Sequence, residues 1–214
     1  MFSPFLGKDY SSEIMSVISS YREQLVYERC TDVCLDAASA IAEGKIVGWF
    51  QGRSECGPRS LGNRSILADP RNPGMKDYLN KKVKFREEFR PFAPSVLWEH
   101  QKEYFDLDIP SPYMLMVADI LHDKQSIIPA VTHVDGTGRL QTVMKDINPL
   151  FHQLIEKFYK ITGVPIVLNT SFNVKGEPIV ETPQDAIKCF LGTGIDVVYM
   201  HDYCLKTWMN GVLI

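Results

Sequence analysis

Apolar positions along this 214-residue chain recur at two periods, and the changes between them mark helices and strands. Val33, Cys34, Ala37, Ala38 and Ile41 form a stripe at helical spacing, capped by Thr31-Asp32 and stopped by Gly44. Asn148-Pro149 opens a second helix, with Leu150, Phe151, Leu154, Ile155 and Phe158 on its core face and Gly163 at its end. Thr182-Pro183-Gln184-Asp185 opens a third, which runs to Gly192. Met75, Tyr78, Leu79 and Lys82 predict a helix over 75–84. Continuous apolar runs at Ile46–Phe50 and Pro165–Leu168 read as buried strands. Tyr113–Ile120, Leu140–Val143, Asp196–Met200 and Tyr203–Trp208 read as further strands, and Pro91 and Pro94 hold Phe92–Leu97 extended. Gln51–Asn63 is a loop, and Gly136-Thr137-Gly138 a turn. Residues 1–28 read as a leader: a connector helix capped by Ser11 or Ser12, with no strand partner. Residues 29–214 then make a single α/β (or α+β) layered domain.

Composition changes this picture little. Hydrophobic residues make up 45% and charged residues 23%, as in ordinary globular proteins. No apolar run approaches the ~18 residues of a membrane span, and the N-terminus lacks a basic-then-apolar signal; this points to the cytoplasm. The five cysteines are scattered, without a CxxC, and read as reduced core thiols. Charge is more informative. Arg53 to Arg90 holds ten Lys/Arg against five acids, so the net −3 divides into a +5 island and a −8 remainder. A local positive island suits a small anionic ligand better than nucleic acid, although a solvated surface would have the same count.

Four stretches carry chemistry. In 52–65, Gly52, Gly57 and Gly62 let backbone N–H groups approach a ligand, and Arg53, Arg59 and Arg64 add guanidinium forks. The spacing is neither a Walker A loop nor GxGxxG, and a tight loop with exposed arginines uses the same residues. In Lys84-Phe85-Arg86, an extended chain would put Lys84 and Arg86 on one face, with Phe85, Phe89 and Phe92 as anchors and Arg90 as a weaker candidate. The competing reading is a charged helix end with Arg–Glu pairs. His133, Asp135, Thr137 and Arg139 alternate, so a strand would line them up as a polar wall. One His and one Asp are too few for a metal site, so no metal ligands are expected; a lone His is more often a structural donor. Asn169-Thr170-Ser171-Phe172-Asn173 follows a strand, where α/β proteins place ligands. An Asx/Ser turn would use the same residues, and without GxSxG Ser171 does not read as a nucleophile.

Together, GRSECGPRSLGNRSILADPR, KVKFREEFRPFAPSV, HVDGTGRLQTV and LNTSFNVKGEPIVETPQDAI resemble the C-terminal domain of nodulation-type and antibiotic-tailoring O-carbamoyltransferases, over nearly the whole chain. The resemblance implies a YrdC-like fold, a twisted mixed β-sheet packed with helices. It also implies ATP, Mg²⁺ with the ATP, and carbamoyl phosphate as ligands, combined into carbamoyl adenylate. By resemblance, Lys84, Arg86, Ser171 and Asn173 are the catalytic set, and Arg53, Arg59, Arg90, His133, Thr137, Arg139 and Asn169 bind substrate or nucleotide. Cys56 and Ser60 stand where many relatives carry an aromatic residue and Ala. In the family an N-terminal actin-like domain, holding a metal through His and Asp, passes the carbamoyl group to a hydroxyl acceptor. This chain supplies no such domain, so the expectation is an incomplete enzyme half, with that partner in cis or as a separate subunit. A non-catalytic binding or docking module is the alternative. RNA binding, known among YrdC-like proteins, conflicts with the charge, and a homodimer is left open.

Overall fold

The three strongest helix signals fold as their caps dictate in the computed structural model, which describes residues 2–87, 89–209 and 212–213. The first helices and strands are α1 (Ile14–Ser20), β1 (Leu25–Arg29), α2 (Val33–Ala42), β2 (Val47–Phe50), β3 (Arg64–Ala68) and α3 (Met75–Leu79). Then come β4 (Ala93–Leu97), α4 (Gln101–Tyr104), β5 (Met116–Asp119), α5 (His122–Gln125), β6 (Thr137–Val143) and α6 (Pro149–Thr162). The chain closes with β7 (Ile166–Ser171), α7 (Pro183–Leu191), β8 (Val197–Met200), β9 (Tyr203–Met209) and β10 (Val212–Leu213). Asp32 accepts from the Leu35 N–H at 3.0 Å and Asn148 from Phe151 at 3.1 Å, while Thr182 and Asp185 close a full capping box. Gly163 takes the left-handed conformation that ends α6.

The described strands form one mixed sheet in the order β1-β9-β8-β2-β3-β7-β4-β6-β5, with β10 beside β9. Pairs β2/β8 and β4/β6 are parallel, and the other pairings are antiparallel. Helices α2 and α6 pack together and against the sheet, and α7 packs on β2 and β8 with α1 against it. Phe151, Leu154, Ile155 and Phe158 of α6 are fully buried. Each such side chain stabilises the fold by about 1.5–3 kcal/mol. Among the described residues no helix is long and apolar enough to cross a membrane. All five cysteines are free thiols, and Cys34, Cys189 and Cys204 are buried.

Several local readings change. Helix α1 starts after Glu13 with no side-chain cap, so neither Ser11 nor Ser12 caps it. Leu25–Arg29 is not a partnerless leader: it is a strand paired with β9. Arg64–Ala68, which carries the end of the glycine-rich motif, is a fully buried central strand. The strand read at 113–120 shrinks to Met116–Asp119, because Met114 has φ 55°. The turn lies at 133–136, not 136–138, and β6 begins at Thr137. The helix over 75–84 has the expected span, but its second half, Asn80–Lys84, is a π-helix.

Candidate active site

Register brings the scattered motifs together. Strands β6, β4 and β7 lie side by side, with Ser95 opposite Gln141 and Ala93 opposite Asn169. Alternate side chains share a face, so Arg139 and Gln141 of β6, Ser95 of β4, and Asn169 and Ser171 of β7 all stand on one side of the sheet. Above them lies a small cleft of about 100 Å³. Arg59, Arg86, Arg139, Asn169, Thr170 and Ser171 are among its lining residues. The cleft is thus walled by three guanidinium groups and short neutral polar groups.

Arg86 enters the cleft through backbone geometry that periodicity does not reveal. The π-helix ends at Lys84, and Phe85 then takes a left-handed conformation, φ 48°, which reverses the chain. Lys84 and Arg86 therefore do not alternate on an extended segment. Phe92 is buried, while Phe85 and Phe89 are exposed and anchor nothing within the chain. Arg86 Nε donates to Asn80 Oδ1 at 2.7 Å, and its guanidinium lies 4.8 Å from the Phe92 ring centre. Asn80, fully buried, also donates to the Arg90 carbonyl at 3.1 Å. It is a positioning residue that the sequence reading missed; its one signal was an amide between the apolar Leu79 and the basic run Lys81-Lys82.

Lys84 lies behind the cleft wall and is only 3% exposed. Its ammonium donates to the Ser171 carbonyl, to Asn173 Oδ1 at 2.9 Å and to the Asn173 carbonyl at 3.0 Å, with Ser171 Oγ at 3.3 Å. Ser171 Oγ donates in turn to Asn173 Oδ1 at 2.6 Å. Asn173 completes the loop by donating to the Glu177 carbonyl at 2.8 Å. Burial, then the neighbouring Arg86 charge, pulls the Lys84 pKa down to about 7. The cage of oxygen acceptors opposes that shift by favouring the charged form. Burial also lowers the pKa of Arg86, as do Arg90 and Arg139, with Glu87 opposing; burial and then Arg59 lower that of Arg139. Arg86 and Arg139 are thus held down by burial first and by neighbouring guanidinium charge second, a setting that favours a bound anion.

The other candidates lie elsewhere. Arg53 is exposed, and Arg90 pairs with Glu87 at 3.0 Å on the surface, the Arg–Glu arrangement of the competing reading. Arg64 is fully buried: it donates to the carbonyls of Gln51 (2.7 Å), Gly52 and Asn63 (both 3.0 Å), stacks on Phe50, and does not line the cleft. Three of the loop's backbone N–H groups are likewise taken, since Glu55 Oε1 accepts from Leu61 and Asn63 at 2.7 Å and from Arg64 at 3.2 Å. Gly62, at φ 106°, lies so close to the Phe151 ring that a Cβ would approach it to 2.2 Å.

His133, Asp135, Thr137 and Arg139 do not form a single strand wall, because His133 and Asp135 belong to the turn before β6. Thr137 Oγ1 donates to Asp135 at 2.8 Å, so His133 Nδ1, 3.0 Å away, is the donor to Thr137. Burial lowers the His133 pKa, which keeps the ring neutral and leaves Nε2 with the lone pair. His133 lines a separate groove of about 340 Å³ beside Phe89, and Pro91 borders both that groove and the arginine cleft.

Comparison with known proteins gives the family and the fold. The carbamoyltransferase C-terminus family profile matches residues 38–207. The nodulation protein NolNO of Sinorhizobium fredii is 48% identical over 96% of this chain and 30% of its own length. NolO of Bradyrhizobium diazoefficiens is 46% identical over 96% of the chain and 38% of its own length, and a Synechocystis protein, sll1178, is 44% identical over 96% and 37%. The chain thus spans about a third of these relatives. Two solved structures share its fold. Full-length HypF, in a phosphate- and nucleotide-bound form, has a TM-score of 0.55 at 19% identity, covering 82% of this chain and 22% of that one. Sua5 of P. abyssi, complexed with L-threonine, scores 0.53 at 17% identity, covering 72% and 43%. The fold is YrdC-like, and the match over 38–207, with the nodulation proteins' 46% and 48% identity over 96% of the chain, places the chain in the family of carbamoyltransferase C-terminal domains.

Proposed function

We propose that this chain binds ATP and carbamoyl phosphate at the arginine cleft, with only their reacting groups inside it, and joins them as carbamoyl adenylate. The observation that carries this reading is the convergence of Arg59, Arg86 and Arg139 on one small cleft, beside the Lys84–Ser171–Asn173 cluster. Guanidinium groups grip phosphate bidentately, and buried donors act more strongly on developing charge than exposed ones. The phosphate and nucleotide bound by HypF are consistent with such ligands here.

Carbamoyl phosphate supplies carbamate on hydrolysis, releasing inorganic phosphate. A carbamate oxygen then attacks the α-phosphorus of ATP. The new O–P bond forms, the bond to the β-phosphate oxygen breaks, and pyrophosphate leaves. No general base is needed, because carbamate is already an anion. Arg86 and Arg139 stabilise charge on the transferring phosphoryl oxygens, and Arg59 holds the outer phosphates. Lys84 acts as a positioning residue, fixing Ser171 and Asn173 from behind. Mg²⁺ fits this donor set only as a companion of the nucleotide's own oxygens, since no carboxylate lines the cleft among the described residues. Transfer to a hydroxyl acceptor would fall to an actin-like domain of the kind that the longer relatives have room for.

ATP–pyrophosphate exchange tests the reading. Exchange that depends on carbamoyl phosphate is expected for this chain, and Arg86→Ala and Lys84→Ala should each lower it by about 100-fold or more. Near wild-type exchange in both variants overturns the site assignment.

A further inference from the structure

The N-terminal segment 2–7 runs along the rim of the arginine cleft and touches two of its walls. Phe5 forms a short antiparallel bridge with Glu55. On either side of it, the Gly7 N–H donates to the Ser54 carbonyl at 3.1 Å and the Cys56 N–H to the Pro4 carbonyl at 2.7 Å. The approach is close, since a Cβ on Gly7 would lie 3.0 Å from the Ser54 backbone nitrogen. At its other end the segment holds Tyr113. The Phe2 and Tyr113 rings stack with centres 4.9 Å apart, and the Tyr113 hydroxyl donates to the Phe2 carbonyl at 2.9 Å.

Arg59 stands on the loop that follows Cys56, and Met114 stands next to Tyr113; both line the cleft. Among the described residues, the two hydrogen bonds to segment 2–7 are the only main-chain hydrogen bonds of the stretch from Ser54 to Arg59. Arg59 itself has no side-chain hydrogen bond or ion pair among them, so its place depends on the backbone that carries it. Met114 sits at φ 55°, a left-handed conformation unfavourable for a residue with a Cβ. Phe5 and Tyr113 pack on a small apolar cluster of Leu61, Ala93 and Met114, separate from the main core.

We infer that segment 2–7 is a positioning strap, which ties the Arg59 loop to the Tyr113-Met114 turn and so sets the Arg59 guanidinium for the outer phosphates of the nucleotide. The inference rests on the reading of this cleft as the adenylation site. Phe5 is the residue on which the strap turns: it pairs with the loop at Glu55 and packs on the cluster that holds Met114. It does not line the cleft, so it acts through Arg59. A loop released from the strap has to be ordered by each nucleotide that binds, which weakens binding and leaves the chemistry at the α-phosphorus unaltered.

Carbamoyl phosphate-dependent ATP–pyrophosphate exchange tests this. Phe5→Ala should raise the KM for ATP about tenfold and change the maximal rate by less than about threefold. The retained maximal rate also shows that the variant folds. Phe5→Leu, which keeps an apolar side chain on the cluster, should return the KM to within about twofold of wild type. Arg59→Ala should raise the KM about tenfold as well, and adding Phe5→Ala to it should raise it no further, because the strap then has nothing left to position. An unchanged KM in Phe5→Ala or in Arg59→Ala overturns the strap alone. A further rise in the double variant does the same, as does a lost maximal rate in Phe5→Ala, the mark of a merely structural role. Absence of exchange in wild type overturns the adenylation reading and this inference with it.

Discussion

The glycine-rich loop over 52–65 and the cleft over β6 and β7 are built from the same residue types, and they use them in opposite ways. In the loop, Arg64 directs its guanidinium into three backbone carbonyls, and Glu55 collects three backbone N–H groups. Those bonds hold the loop together from within, although Arg64 Nε and Glu55 Oε2 are themselves buried without a partner. In the cleft, three guanidinium groups crowd together, and Arg139 Nε and Asn169 Oδ1 remain unpaired. Counting arginines and glycines cannot separate a structural cluster from a binding one. The difference lies in whether the chain supplies the partners itself.

The strongest way to break the comparison is to remove the buried guanidinium. Arg64→Ala should destabilise the protein by about 3 kcal/mol or more, since a charged donor with several hydrogen bonds is lost and carbonyls are left unpaired. Urea unfolding measures this. In the same assay Arg139→Ala should stay within about 1 kcal/mol of wild type, because the chain gives Arg139 Nε no partner to lose. If Arg139→Ala is the more damaging of the two, the assignment of roles is reversed. Glu55→Ala comes next, at about 2 kcal/mol, because three N–H groups lose one shared acceptor.

Lys84 sharpens the comparison through pH. Its folded pKa of about 7 lies below its ordinary 10.5, so between those values the unfolded chain binds more protons. Stability relative to Lys84→Met should therefore rise as pH goes from about 7 to about 10.5, by at most about 1.4 kcal/mol per pH unit. A flat difference would show that the Ser171 and Asn173 oxygens hold the ammonium charged against burial. The smallest effect belongs to Arg53. Arg53→Ala should leave stability within about 0.5 kcal/mol, as is usual for an exposed side chain. It should also leave ATP affinity unchanged by titration, and a tenfold loss would extend the site onto the loop.

Much of the fold was legible because caps and periodicity are local. Asp32, Asn148 and Thr182 mark helix starts with their own side chains, and Gly163 marks an end with its own φ. Strand β3 was not legible, because Arg64-Ser65 reads as polar loop until Phe50 and the facing carbonyls bury it. The sheet's far edge was missed for a related reason: Leu25–Arg29 has little pattern of its own and becomes a strand only beside β9. At the site, the residue types Arg59, Arg86, Arg139, Asn169 and Ser171 were all visible in the motifs. Their grouping was not, and His133, which holds Thr137, belongs to a neighbouring groove.

By itself the sequence determined the boundaries of α2, α6 and α7, the family and the supply of cationic and short polar groups, since these depend on neighbours a few residues apart. Only the tertiary structure decided which arginines are structural and which face a ligand. That choice depends on strand register and on a left-handed Phe85 after a π-helix, and both arise from contacts between segments distant in the chain. The same contacts set the Asn169 amide against Gln141 and Ser95, a pairing that no residue pattern could have shown.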